Sequence, residues 1–92
     1  MSLKITEKEG TFYLDGSINT LTSSLLENHF THLLYLNNEL TINIEGVNEI
    51  NSNGVSTLLD LYFKASKNNK RLWFTGYGSK DIYNQYNSLN PV

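Results

Sequence analysis

Glu45–Gly46–Val47–Asn48–Glu49–Ile50–Asn51–Ser52–Asn53–Gly54–Val55 is the stretch on which the fold turns. Before it, Leu40, Ile42 and Ile44 alternate with Thr41, Asn43 and Glu45, the period-two signature of a half-buried strand. After it, Val55, Leu58, Leu59 and Tyr62 recur at helical spacing, with Phe63 and Ala65 near the edge of the stripe. The passage therefore reads as a strand over 40–45, a polar loop over 47–53, and a helix over 54–68. A strand buried on both faces is apolar throughout. This one alternates, so helices are expected on one face of the sheet only.

Working outward toward the N-terminus, Asn19 to Ser24 is a cluster of helix-start residues, and Ser24 with Glu27 is one frame for a capping box. Leu26, Phe30, Leu33 and Leu34 follow at helical spacing, which predicts a helix over 21–36 ended by Asn37–Asn38, since Asn tolerates a left-handed cap. Two short alternating runs precede it, 3–7 and 11–16, separated by a turn ending in Gly10 and closed by Gly16–Ser17. They read as a hairpin with Phe12 and Leu14 inward. Toward the C-terminus, Asn68–Asn69 stops the central helix. A strand over 71–75 points Leu72 and Phe74 inward and Arg71, Trp73 and Thr75 outward. Ser79 can cap a last helix over 79–89 that aligns Ile82, Tyr86 and Leu89, with Pro91 past its end. The order β-β-α-β-α-β-α requires parallel pairing with right-handed crossovers. The expected fold class is α/β: a four-stranded mixed sheet with helices packed on one face, in a single domain spanning residues 1–92.

Bulk properties narrow the function. Of the 92 residues, 39% are hydrophobic and 17% charged, and the apolar positions are periodic, so the chain folds. A net charge of −2 with no basic stripe argues against nucleic acid as partner. Zero cysteines exclude disulfides, thiolate metal sites and cysteine nucleophiles. No apolar run approaches the roughly 20 residues needed to span a bilayer, so no direct membrane insertion is expected. With no signal peptide visible after Met1, a cytoplasmic location is the expectation.

The element order, with Gly16 at the end of the second strand and Ile50–Asn51–Ser52–Asn53–Gly54–Val55 at a strand–loop–helix junction, resembles the STAS domain, the module shared by anti-sigma factor antagonists and the cytoplasmic tails of sulfate transporters. The resemblance covers about Leu3 to Leu89. The family junction is a hydrophobic residue followed by Asp-Ser-Ser-Gly-hydrophobic. Asn51 stands for the Asp, Ser52 for the first Ser and Asn53 for the second, while Gly54 and Val55 match. The resemblance implies a STAS-like sandwich and a non-catalytic regulatory module without cofactor. Its implied partner is an anti-sigma factor with kinase activity or another regulatory protein. In bacterial antagonists the second Ser accepts a phosphoryl group, which adds about −1.5 to −2 charges and breaks the complex. Asn53 has no hydroxyl, so it cannot accept that phosphoryl group. Three readings stay open: Ser52 or Ser56 as a displaced acceptor, an unswitched binder, or a subunit of another assembly such as a lipid-transport ATPase complex.

The candidate site is therefore Asn51, Ser52, Asn53, Gly54 and Ser56. Small polar residues at a helix start also serve as plain caps, and the unpaired N–H groups there favour anions. The second function class is accordingly an enzyme or small anionic-ligand binder at the same helix start. It lacks a basic residue in the loop and any acid/base pair. No phosphate loop, Gly-x-Ser-x-Gly elbow or catalytic triad is visible. His29 and His32, at i and i+3, lack the third and fourth ligands of a metal site and read as a surface pair. Asp60 reads as a solvated face. Tyr13 and Trp73 are expected on the sheet face away from the helices, as cover or as a contact surface.

Overall fold

The computed structural model describes residues 2–89, with side chains through Asn84. Strands β1 (Leu3–Lys8) and β2 (Thr11–Ile18) form the hairpin. Its two turn residues, Glu9 and Gly10, both have positive φ (53° and 84°), the handedness that matches the twist of paired strands. Then follow α1 (Thr20–Leu36), β3 (Glu39–Ile50), α2 (Ser52–Lys67), β4 (Arg71–Thr75) and α3 (Ser79–Leu89). The sheet order is β1-β2-β3-β4, antiparallel at the hairpin and parallel elsewhere. This is the expected four-stranded mixed sheet.

Leu14, Ile42, Leu72 and Phe74 are buried on one face of the sheet, together with Leu26, Phe30 and Leu34 of α1 and Leu58, Leu61 and Ala65 of α2. The opposite face carries Tyr13, Trp73 and Thr75, all exposed, with Thr41 and Asn43 half-buried. One-sided cover follows from the alternation in β3 and β4. The β4 edge is closed by α3, where the Tyr83 hydroxyl accepts from Phe74 N at 2.7 Å and donates to Phe74 O at 3.3 Å. Ile82 is buried, as expected. The side chains of Tyr86 and Leu89, and Pro91, lie outside the described residues.

Several boundaries differ from the sequence reading, each for a local reason. β2 does not end at Gly16 but runs to Ile18. Its tail pairs with the second half of β3, Asp15 with Gly46 through Ile18 with Ile50, across register shifts at Tyr13/Asp15 and Gly16/Ser17. Gly16, at φ 116°, supplies the backbone such an irregularity needs, and a Cβ there would strike the Ser2 carbonyl. This ladder absorbs Val47–Ile50 into β3, so the polar loop expected over 47–53 contracts to Asn51 alone. α2 starts at Ser52, two residues earlier than expected. α1 is capped by Asn19, whose Oδ1 accepts from Leu21 N and Thr22 N, while Thr22 Oγ1 accepts from Asn19 N. That reciprocal pair replaces the Ser24–Glu27 frame. Asn37 closes α1 in an extended conformation rather than a left-handed one.

Candidate functional site

The β3–α2 junction is held from three sides. Asn51 N donates to Ile18 O at 3.1 Å, fastening the end of β3 to the end of β2. Asn51 Oδ1 accepts from Gly54 N at 2.9 Å, and Asn51 O accepts from Val55 N at 3.0 Å, which starts the helix. Asn51 is thus the N-cap of α2, doing with a neutral amide oxygen what a carboxylate does at other helix starts. Gly54 is buried where the helix start presses on the tail of β2. A Cβ there would lie 2.7 Å from both Ile18 Cγ2 and Ile18 O, and 2.9 Å from Ile50 Cγ1. Only glycine lets the two segments approach this closely.

Ser52, Asn53 and Ser56 are exposed on this fixed frame. Asn53 and Ser56 border a shallow depression of about 260 Å³, and Ser52 does not. Its other wall is the first part of α1, with Ser23, Ser24 and Glu27, and Asp60 closes it along α2. Ser23 Oγ donates to Asn19 O at 2.6 Å and Thr57 Oγ1 to Asn53 O at 3.0 Å, so both of these hydroxyls are turned to the backbone. Two carboxylates beside Asn53 work against a bound phosphate, whatever the helix dipole offers.

Sequence reasoning placed the α2 residues here and missed Glu27, Ser23 and Ser24. The signal was in the topology. α1 follows β2 and α2 follows β3, and these strands are parallel neighbours covered on the same face. Two such crossovers lay their helices side by side in the same direction, so both helix starts fall at one end of the sheet.

Among the described residues, no group of three His, Cys, Asp or Glu is placed to hold a metal ion. His29 and His32 are both exposed. His29 makes edge-on ring contacts with Phe12 and Phe30 at centroid separations of 6.3 and 5.2 Å. Asp60 is exposed, and Tyr13 and Trp73 lie on the open sheet face. No described helix is long and apolar enough to cross a membrane.

The fold has close counterparts among solved structures. An anti-sigma factor antagonist from Mycobacterium paratuberculosis matches at 19% identity with a TM-score of 0.66, covering 98% of this chain and 82% of that one. The structure of Mglu matches at 13% identity and a TM-score of 0.66, covering 82% of this chain and 19% of that one. The anti-sigma factor antagonist SpoIIAA in its unphosphorylated form matches at 9% identity and a TM-score of 0.62, covering 99% and 100%. At these identities the likeness shows the fold. A search of curated protein sequences gives no significant match. The STAS domain family model matches residues 1–81, which takes in both fixed strand ends and the Asn51–Gly54 junction. On that match, over all but the last part of the chain, this protein belongs to the STAS domain family.

Proposed function

We propose that this chain is a non-catalytic regulatory module that docks on a partner protein through the Asn51, Ser52, Asn53, Gly54 and Ser56 segment at the start of α2, with Ser52, Asn53 and Ser56 making the contact and Asn51 and Gly54 holding them in place. The observation that carries the reading is a division of labour at the junction. Asn51 and Gly54 spend their chemistry inward on the cap and the close approach, while Ser52, Asn53 and Ser56 face solvent with no role in the core. An exposed polar surface on a rigid support is suited to recognition, since little ordering is required on binding. Nothing at the site pairs a nucleophile with a base, and the carboxylates of Glu27 and Asp60 disfavour an anionic ligand there. The reading is therefore of a bacterial, cytoplasmic binder, with an anti-sigma factor or a related regulatory protein as partner.

Phosphorylation at Asn53 is chemically excluded. Ser52 is its neighbour, but one residue along a helix turns a side chain by about 100°. A kinase site shaped for one position meets the wrong geometry at the next, and positioning dominates phosphoryl transfer. Partner binding is then governed by abundance or by the partner. The test is binding to the anti-sigma factors of the native genome by titration calorimetry, comparing wild type, Ser52→Ala and Asn53→Asp. Asn53→Asp is expected to weaken the complex by placing an unpaired charge in a packed contact. Equal binding by all three would move the interface elsewhere, and a phosphoserine at Ser52 in protein from native cells would overturn the unswitched reading.

A further inference from the structure

The far end of α2 has a different character from its start. Lys64, Lys67, Lys70 and Arg71 are four of the seven Lys and Arg of the chain. Hydrogen bonds tie two of them to the end of α1 and the residues just past it. Lys64 Nζ donates to Thr31 Oγ1 at 3.2 Å, and Lys70 Nζ donates to Asn37 O at 3.2 Å and Asn38 Oδ1 at 3.5 Å. These acceptors are neutral, so the bonds place the charges without cancelling them. Glu39, opposite Arg71 in the β3–β4 register, shares the strand-start end of the sheet with Glu7, Glu9 and Lys8 of the hairpin, so five cations at this pole stand against three carboxylates. Glu27 and Asp60 stand beside Lys64 and Lys67 on the side facing the start of α2. The rest of the molecule holds the other two cations, Lys4 and Lys80, against six carboxylates, so it is net acidic while this pole is net basic.

Apolar side chains are interleaved with these cations. Tyr35 is 81% exposed, Leu36 63%, and Phe63 and Trp73 49% each. Lys70 lies between two clefts. One, of about 370 Å³, has Leu34 and Ala65 in its lining with Tyr35 and Lys64. The other, of about 210 Å³, includes Tyr62, Arg71 and Trp73. Lysines on long stems beside half-exposed aromatics and a leucine are the composition of a surface that settles at a lipid headgroup layer.

We propose that this pole docks reversibly on an anionic phospholipid bilayer. The four cations meet headgroup phosphates, and Tyr35, Leu36 and Trp73 rest in the interface without insertion of any helix. The acidic remainder of the molecule is repelled by the same surface, which fixes the orientation. The start of α2 then faces away, about 24 Å from its C-terminal end for a 16-residue helix, and stays open to a protein partner.

The experiment is co-sedimentation of the full chain with vesicles of phosphatidylcholine alone or mixed with phosphatidylserine. Binding is expected to the mixed vesicles only, and is expected to disappear in about 1 M salt, where the Debye length is about 3 Å. Lys67→Gln and Arg71→Gln should each weaken it roughly fivefold. Tyr35→Ser with Leu36→Ser should weaken it without changing its salt dependence. Among the described residues the Lys67 side chain has no hydrogen-bond partner, so its variant keeps the test valid if Arg71→Gln perturbs the fold, and melting midpoints report that directly. Asn53→Asp should bind vesicles like wild type, which separates this surface from the protein-docking site. No sedimentation with anionic vesicles at low salt, equal sedimentation with neutral ones, or indifference to Lys67→Gln would each overturn the proposal. Retention on polyglutamate without vesicle binding would also overturn it and assign the pole to an acidic protein.

Discussion

Asn51, Asn53 and Gly54 occupy neighbouring positions and have separable effects. Gly54→Ala introduces a Cβ at 2.7 Å from Ile18 O, a backbone atom that cannot swing aside. It should cost about 1–3 kcal/mol as an overpacking change, read as a lower urea midpoint with unchanged slope. Asn51→Ala removes the acceptor for Gly54 N and should cost about 1 kcal/mol, the usual value of an N-cap. Asn53→Asp should leave the midpoint nearly unmoved, since the helix start favours a carboxylate and the neighbouring Glu27 and Asp60 oppose it. Its effect belongs to binding. A fall in the midpoint comparable to that of Gly54→Ala would show that Asn53 is structural after all.

Among the elements, β3 and α2 carry the packing. Ile42 and Leu58 are fully buried against each other's layers, and their replacement by Ala should destabilise by about 2–5 kcal/mol in chemical denaturation. Thr41→Ala, on the open sheet face, should cost much less. Equal losses at Ile42 and Thr41 would contradict one-sided cover. Element identity and order were legible because period two and period 3.6 change sharply along the chain. The inward sets Leu40/Ile42/Ile44 and Leu72/Phe74 were legible for the same reason. What escaped was decided by partners distant in sequence. Val47–Asn48–Glu49–Ile50 reads as loop by composition and is strand because the tail of β2 supplies its ladder. Leu61 falls outside the Val55–Leu58–Leu59–Tyr62 stripe, yet it is fully buried because α2 is covered by α1 as well as by the sheet. Leu36, at the end of an apolar repeat, is 63% exposed because α1 there has run past the sheet-covered core. At the candidate site the residues of α2 could be named from sequence. Glu27 and Ser24 could not, since their place depends on two helices lying side by side.

At the level of the molecule, one core joins both helices to the sheet, and Ile82 of α3 belongs to it. Unfolding is accordingly expected as a single transition. Trp73 is half-exposed on the open face and reports the sheet, whereas far-UV circular dichroism reports mainly the helices. The two signals should give coincident urea curves. Separate midpoints would show that α3, or the hairpin, melts on its own. The same architecture gives the molecule polarity. Parallel crossovers put both helix starts at one end and set the end of α1 beside the lysine-bearing end of α2 at the other.

Chemical ageing passes through the cap. An Asn followed by Gly loses ammonia when the next backbone nitrogen attacks the side-chain carbonyl carbon, and the cyclic product opens to Asp or iso-Asp. Here the attacking atom is Gly54 N, and it is already engaged by Asn51 Oδ1 at 2.9 Å within a formed helix. The hydrogen bond that starts α2 therefore also sets a lifetime, because conversion at Asn53 would install the very charge expected to release the partner. In mildly alkaline buffer, Asn51→Ala should accumulate the converted peptide faster than wild type, with denatured chain fastest, as followed by mass spectrometry. Equal rates in the two folded proteins would mean that the surrounding helix, and not the cap, keeps Asn53 young.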